Sequence, residues 1–130
     1  MRQIVRIFQK KFIRKHHKIC CEGRDQASAI LRKNPRYDVA FFFKCNIEIA
    51  SLRRWRDLKK KIPLQEVQKS LKNRTLQDKK RRENPLIKVF NAIEIRSHLY
   101  TKAQMIQKMS KEIDKKLLFK YGSNFKTTKK

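Results

Sequence analysis

The pattern that most restricts the fold is a run of alternating residues that begins at Phe41. From Phe41 to Ile49 every second residue is apolar. The residues between them from position 44 onward, Lys44, Asn46 and Glu48, are polar. This period of two is typical of a strand with one solvated face, and Asn34-Pro35 provides a break before it. A helix would bury Asn46 in an apolar stripe, so we predict a strand. The run is too short for a membrane span, which needs roughly 20 apolar residues.

The net charge suggests what kind of partner the chain binds. The 130 residues carry a formal charge of +25, from 36 Lys and Arg against 11 Asp and Glu. Such a chain repels itself and is stabilised beside a polyanion. Nucleic acid is the first candidate, an anionic membrane surface the second and a disordered basic tail the third. The hydrophobic share of 39% predicts a small core. The aromatic residues and the predicted strand argue against complete disorder.

Glycine, cysteine and histidine usage excludes several catalytic sites. With Gly23 and Gly122 as the only glycines, this chain cannot form a glycine-rich phosphate loop, which argues against nucleotide-hydrolysing folds of that kind. Three cysteines do not make a secreted disulfide framework and favour a reducing compartment. The segment His16–Cys21 holds His–Cys pairs four residues apart, but no second pair follows at zinc-finger spacing. We therefore predict no metal, no cofactor and no catalytic residue.

The amino-terminal segment Met1–Cys21 contains no acid and carries Ile4, Phe8 and Phe12 at helical spacing. An amphipathic mitochondrial presequence has this composition. A basic RNA-contacting segment, or a short first strand over Arg2–Gln9, also fits, and the sequence does not decide between them. A short helix is predicted within Arg24–Lys33, because a helix must end before Pro35.

The rest of the chain is predicted to be mainly helical. Pro63 is expected to open a helix over residues 64–71, and Thr101 to cap a helix at about 101–118. Residues 75–83 read as a linker or exposed helix end, 87–95 as a second short strand and 121–130 as a frayed basic tail. We predict an α/β fold with a small core domain over residues 1–74 and a basic extension over residues 75–130.

Two basic blocks are predicted to contact RNA phosphates, one around the single tryptophan, Trp55, and one after Thr75. Trp55 could stack on an unpaired base, although we favour a position facing the core. The predicted RNA-binding residues are Arg14, Lys15, Arg53, Arg54, Trp55, Arg56, Lys59, Lys60, Lys61, Lys79, Lys80, Arg81 and Arg82.

The order of elements over residues 2–74 resembles a known family. Asn34-Pro35 stands between a helix and the strand through Phe41–Lys44, and Glu66-Val67 begins the next helix. This order resembles the small thioredoxin-like family shared by mitochondrial ribosomal proteins and a complex I accessory subunit. The family's Gly/Ser-rich loop is here replaced by Lys10–His17, and its proline-bearing segment is absent around Asn46–Ser51. The resemblance implies a small thioredoxin-like mixed sheet with helices, without redox chemistry.

These features predict a structural protein of the mitochondrial ribosome that binds rRNA through Lys and Arg contacts to phosphates. Its expected partners are rRNA and neighbouring ribosomal proteins, with no small-molecule substrate and no transmembrane segment. The expected location is the mitochondrial matrix. The alternatives are an accessory subunit of a respiratory membrane complex and a free basic nucleic-acid-binding protein. We do not expect an enzyme, because no catalytic constellation can be identified.

Overall fold

The computed structural model describes residues 2–122. In chain order, its elements are α1 (Arg2–Arg14), a π-helical turn (Gln26–Ile30), β1 (Phe41–Lys44), α2 (Ile47–Asp57), α3 (Leu64–Lys80), β2 (Ile93–Arg96), a 3-10 turn (Ser97–Leu99) and α4 (Lys102–Tyr121). Most of the predicted basic tail, namely residues 123–130, lies outside the described part of the chain.

The two strands form a small parallel sheet in which Phe41 is paired with Ile93 and Phe43 with Ile95. Helices α2 and α3 lie between the strands in the chain, as a parallel pair requires a long crossover connection. Ile95 is completely buried. The predicted α/β class is confirmed, although the sheet is parallel rather than mixed.

The strand predicted from Phe41 to Ile49 is correct only as far as Lys44. Asn46 caps α2 instead, and its side-chain oxygen accepts a hydrogen bond from the Glu48 backbone N–H at 2.8 Å. An Asn cap satisfies a helix donor that has no intrahelical partner, and Glu48 in the first turn stabilises the positive end of the helix dipole. The prediction that Ile49 lies in a strand is therefore wrong, since Ile49 belongs to α2.

The amino-terminal segment forms a helix, so the alternative of a first strand over Arg2–Gln9 is wrong. Lys11 and Arg14 lie in the last turn of α1, where positive side chains interact favourably with the helix dipole. Ile13 is the one buried residue of α1. The presequence and RNA-contact interpretations of this segment remain predictions.

Helix α3 begins after Pro63 as predicted, but it continues to Lys80 because neither glycine nor proline interrupts it. It packs against α2 and buries Val67. Helix α4 begins at the predicted cap, where Thr101 and Gln104 form a capping box. The short helix predicted before Pro35 is observed as the five-residue π-helical turn.

The core is small, as the composition predicts, and its buried apolar residues within 2–122 are Ile13, Ile30, Ala40, Val67 and Ile95. The second predicted strand is present, but it begins only at Ile93, after a turn in which the Ala92 N–H donates to the Val89 carbonyl oxygen at 3.1 Å. The two strands lie on either side of residue 74, and the division into two domains remains a prediction. Over the part described, no helix is long and apolar enough to span a membrane.

Candidate functional site

An ion-pair cluster centres on Asp78, an acid surrounded in the sequence by cations. Asp78 lies in the last turn of α3 and is 1% exposed. Its two carboxylate oxygens pair with the guanidinium groups of Arg24 and Arg81. The Leu86 N–H donates to the Asp78 backbone carbonyl oxygen at 2.8 Å, which ties the chain after α3 to the same point. One buried carboxylate therefore fixes two arginines that come from distant parts of the sequence.

The positive charge at this cluster exceeds the negative charge. Burial of the Arg24 guanidinium, together with the nearby charges of Arg74 and Arg81, lowers the pKa of Arg24. Two guanidinium groups thus pair with one carboxylate, and the charge of Arg74 also acts on Arg24. The side chains of Arg24 and Arg81 remain about one-third exposed, at 34% and 36%. Planar guanidinium groups bind phosphate and carboxylate groups through paired N–H donors. An anion placed here would relieve the repulsion between the arginines.

A cleft of about 330 Å³ lies beside the cluster, between α1, the π-helical turn and the chain that follows α3. Its charged lining has three arginines against two acids. The residues that line it are Arg2, Val5, Arg6, Gln9, Asp25, Gln26, Ile30, Arg81 and Glu83. Arg81 is thus shared between the ion-pair cluster and the cleft.

The wall of the cleft is fixed by local backbone features. With the Asn84 amide oxygen oriented toward Arg6, that oxygen accepts a hydrogen bond from Arg6 Nη1 at 2.9 Å. Gly23, directly before Arg24, has a φ of +155°, which side chains rarely permit. A Cβ at Gly23 would lie 2.8 Å from Gln26 Cγ. Glycine therefore lets the chain turn so that Arg24 reaches Asp78 while Gln26 lines the cleft.

A second cleft, of about 290 Å³, lies where β1 and β2 end, and Glu94 is its central charge. Glu94 pairs with Lys44 Nζ at 3.0 Å and with Arg96 Nε at 3.3 Å. The hydrogen bond from Lys44 lowers the pKa of Glu94. Burial opposes this effect, and the hydrogen bond from Arg96 adds to it. The Asn46 N–H donates to His98 Nδ1 at 3.2 Å. Both cations of this lining, Lys44 and Arg96, are thus paired with the same acid, Glu94.

Of the predicted RNA-binding residues, Arg81 contributes to the candidate site. Trp55 is half-buried and donates from Nε1 to the Ile62 carbonyl oxygen at 2.8 Å, and Lys60 Nζ lies 5.1 Å from its ring centroid. Arg53 donates to the Ser97 carbonyl oxygen at 3.1 Å, and Arg14 to that of Asn34 at 3.3 Å. The remaining predicted residues are exposed, namely Lys15, Arg54, Arg56, Lys59, Lys60, Lys61, Lys79, Lys80 and Arg82. Their role as RNA contacts remains a prediction.

Sequence reasoning missed Arg24, Arg74 and Asp78. Two signals could have identified them. Gly23, one of only two glycines, stands directly before Arg24-Asp25, and Asp78 is an isolated acid directly before a run of four cations. An acid in such a position is expected to be paired, since an unpaired buried charge is strongly unfavourable.

The His–Cys pairs of residues 16–21, considered above as zinc ligands, have other surroundings in the structure. The His16 ring stacks on Phe12 with centroids 4.2 Å apart, and its Nδ1 lies 2.8 Å from the Phe12 carbonyl oxygen. The thiols of Cys20 and Cys21 are not in a disulfide. Within residues 2–122, no three His, Cys, Asp or Glu side chains form a cluster that could hold a metal ion.

Comparison with known proteins identifies the family. The family model for cytidylate kinase matches residues 1–115. The cytidylate kinase of Mesomycoplasma hyopneumoniae (strain 7448) is 28% identical over 120 residues, which are 90% of this chain and 51% of the relative. The cytidylate kinase of Clostridium botulinum (strain Loch Maree / Type A3) is 29% identical over 112 residues, which are 84% of this chain and 50% of the relative. The chain spans about half the length of the curated relatives it matches.

These matches overturn the thioredoxin-like resemblance and the functions inferred from it or from the charge. The predicted ribosomal role, the rRNA and ribosomal-protein partners, and the two alternative functions are contradicted. The relatives are bacterial, which contradicts the predicted location in the mitochondrial matrix. The relatives are named as kinases of cytidylate, which is a small molecule. For this family, the expectations of no enzyme activity and of no small-molecule substrate are therefore wrong. Dipeptides such as Asn34-Pro35 were too short to identify a family. Because the family model covers residues 1–115, well over half of the sequence, the chain belongs to the cytidylate kinase family.

Proposed function

We propose that this chain holds the phosphate group of cytidylate in an enzyme that transfers a phosphoryl group to it. The observation that carries the proposal is the cluster in which Asp78 fixes Arg24 and Arg81 beside the arginine-lined cleft. The family name supplies the substrate class. The geometry indicates which side chains would contact the substrate.

The arginines are suited to a phosphate because their charge is in excess and their orientation is fixed in advance. Asp78 neutralises one positive charge, while Arg24, Arg74 and Arg81 supply three. The adjoining cleft adds Arg2 and Arg6 against Asp25 and Glu83, so the site as a whole remains positive, and a phosphate monoester carries a charge of about −2 near neutral pH. Charge-assisted hydrogen bonds from guanidinium groups to phosphate oxygens are stronger than neutral ones. The ion pairs with Asp78 reduce the ordering entropy that binding would otherwise require.

The chemistry needs such positive charge. An oxygen of the cytidylate phosphate forms a bond to the terminal phosphorus of a nucleoside triphosphate, and the bond from that phosphorus to the departing diphosphate breaks. Two anionic groups must approach each other, so catalysis depends on positioning and on neutralising their charge. Arg81 and Arg6, both in the lining of the cleft, are placed to hold the acceptor phosphate.

The proposal concerns the acceptor phosphate rather than the triphosphate donor. A glycine-rich loop is a common way to hold a triphosphate, and the two glycines of this chain, Gly23 and Gly122, lie near opposite ends of the sequence. Arginine side chains grip a single phosphate without such a loop. The proposed site beside Asp78 uses arginine side chains of this kind.

Calorimetric titration of the purified chain with cytidylate, and with cytidine as the phosphate-free control, tests the proposal. Cytidylate is expected to bind at least tenfold more tightly than cytidine, because charge-assisted hydrogen bonds contribute about 1.5–3 kcal/mol each. Arg6→Gln should weaken cytidylate binding roughly tenfold. Arg81→Lys should do the same, because it keeps the charge beside Asp78 but loses the planar fork.

Arg56→Gln is the matched control, since Arg56 is an exposed cation of α2 outside the cleft. It removes the same charge and should change the affinity less than twofold. Equal affinity for cytidine and cytidylate would overturn the proposal. So would a loss of affinity in the control as large as in Arg6→Gln.

A further inference from the structure

Two adjacent thiols, those of Cys20 and Cys21, lie in the irregular segment between α1 and the π-helical turn. Cys20 is exposed, Cys21 is half-buried, and neither is in a disulfide. Burial raises the pKa of the Cys21 thiol, and the nearby charge of Cys20 raises it further. The two sulfur groups are therefore close enough to influence each other, and Cys21 carries its proton at neutral pH.

The number and spacing of the sulfurs restrict the ligand that this thiol pair can take. Structural zinc needs four side-chain ligands, and within residues 2–122 no three His, Cys, Asp or Glu side chains form a cluster that could hold a metal ion. A disulfide between the two is strained, because adjacent Cα atoms are about 3.8 Å apart and disulfides usually join Cα atoms about 4.4–6.8 Å apart. One atom inserted between the sulfurs relieves this strain. The pair therefore suits a soft, thiophilic atom that forms two bonds to sulfur.

The thiol pair lies directly before the turn that positions the ion-pair cluster. Gly23 has a φ of +155°, and a Cβ there would lie 2.8 Å from Gln26 Cγ, so the turn is closely packed against Gln26. Arg24, the next residue, pairs with Asp78, and Gln26 lines the cleft. A bridge across the thiol pair restricts the backbone dihedrals just before this turn. Because the turn has little free space, a change in the direction of the chain at the thiol pair displaces Arg24.

We propose that Cys20 and Cys21 form a binding site for a trivalent, thiophilic metalloid centre, and that its binding lowers the affinity of the neighbouring arginine cluster for phosphate. A monosubstituted arsenic(III) oxide, R–As=O, reacts with the two thiols. Two As–S bonds form, while two S–H bonds and the arsenic–oxygen double bond break. Both protons leave with the oxygen as water, so no oxidant or reductant is needed. The carbon substituent supplies the third bond of arsenic, so two sulfurs complete its coordination.

Intact-mass spectrometry of the reduced 130-residue chain with phenylarsine oxide tests the site. One adduct per chain is expected, and it should persist in excess glutathione, a monothiol, but be removed by dithiothreitol, a dithiol. Cys20→Ser and Cys21→Ser should each weaken binding at least about 100-fold, because the second of two linked contacts forms at a high effective concentration. Cys45→Ser is the matched control, since Cys45 is an exposed thiol between β1 and α2, and it should change the affinity less than twofold.

The effect on the arginine cluster has two independent measurements. Hydrogen exchange of the amides of the π-helical turn, Gln26–Ile30, should be at least about threefold faster in the adduct, because the turn loses its fixed position. This part of the proposal rests on the proposed function where it concerns phosphate, and there the adduct should bind cytidylate about tenfold more weakly, the loss expected for one charge-assisted hydrogen bond. Cys20→Ser should bind cytidylate as the wild type does and should not respond to phenylarsine oxide in either measurement.

Three results would overturn the site: loss of the adduct in excess glutathione, equally firm binding by Cys20→Ser, or a pair already joined as a disulfide in the chain purified under reducing conditions. An adduct that leaves both hydrogen exchange and cytidylate affinity unchanged would overturn the coupling to the arginine cluster. The proposed function fails separately, when the chain without the adduct binds cytidylate no better than cytidine. In that case the adduct and the hydrogen exchange still decide this inference.

Discussion

Replacing Asp78 with Asn should destabilise the fold while preserving the shape of the side chain. Asp78 is 1% exposed and is paired with Arg24 and Arg81. An Asn side chain presents one N–H₂ group where a carboxylate oxygen accepted from a guanidinium, so one contact becomes donor against donor. The guanidinium groups of Arg24 and Arg81 then lose their counter-charge, beside the further positive charge of Arg74.

The magnitude follows from the burial of the partners. Removing one member of a fully buried ion pair costs about 3–5 kcal/mol. The side chains of Arg24 and Arg81 are 34% and 36% exposed, so water recovers part of this, and we expect a loss of about 2–4 kcal/mol. For a chain of this length, that corresponds to a fall of roughly 6–20 °C in Tm.

Urea denaturation followed by circular dichroism measures this loss, with Asp57→Asn as the matched control. Asp57 is an exposed acid at the end of α2, and its neutralisation should change the free energy of unfolding by less than about 0.5 kcal/mol. The loss of unfolding free energy in Asp78→Asn should also be smaller at about 1 M salt, because screening reduces the repulsion between the arginines. Equal stability of the two variants, or a deficit unaffected by salt, would refute the reasoning.

Two further predictions concern Gly23 and Glu94. Gly23→Ala places a Cβ 2.8 Å from Gln26 Cγ at a φ of +155° and should lower the free energy of unfolding by about 1–3 kcal/mol. Gly122→Ala, at a φ of +67° with open space around it, should lower it less, and a larger loss there would contradict the prediction. The hydrogen bond from Lys44 and the other cations hold the pKa of Glu94 below its usual 4.5. The contribution of Glu94 to the free energy of unfolding is therefore fully present above pH 4.5 and is lost as the pH falls through the lowered pKa. Glu94→Gln should flatten the acid limb of unfolding free energy against pH, and an unchanged slope would show that Glu94 is not coupled to folding.

The elements that sequence reasoning predicted correctly carry strong local signals. The aromatic run from Phe41 favours a strand, Pro63 is preorganised just before a helix, and Thr101 can cap one. The strand was extended too far because Ile47 and Ile49 fit an alternating pattern. Over so few residues, a period of two cannot be distinguished from the start of a helix, and here Asn46 decides by capping.

The candidate site was harder to predict because it depends on tertiary contacts. Arg24 and Asp78 are far apart in the sequence, and no local pattern links them. The charge of +25 indicated an anionic partner, but it could not distinguish a polymer from the phosphate of one nucleotide. The lack of a glycine-rich loop does exclude that loop within this chain. It does not exclude a kinase family, since the matched residues are only about half of each relative.

The parallel pairing of β1 with β2 also sets the order in which the chain can fold during synthesis. Phe41 pairs with Ile93, so β1 has no partner until α2, α3 and β2 have been made. At about 5–20 residues per second, that wait lasts roughly 3–10 s, whereas helices form in about a microsecond. Helices α2 and α3 therefore have time to form and pack before β2 is made, and the aromatic run of β1 has no strand partner during this time. During these seconds Phe41–Phe43 is the segment most exposed to aggregation, so slow translation of residues 45–92 should lower the soluble yield.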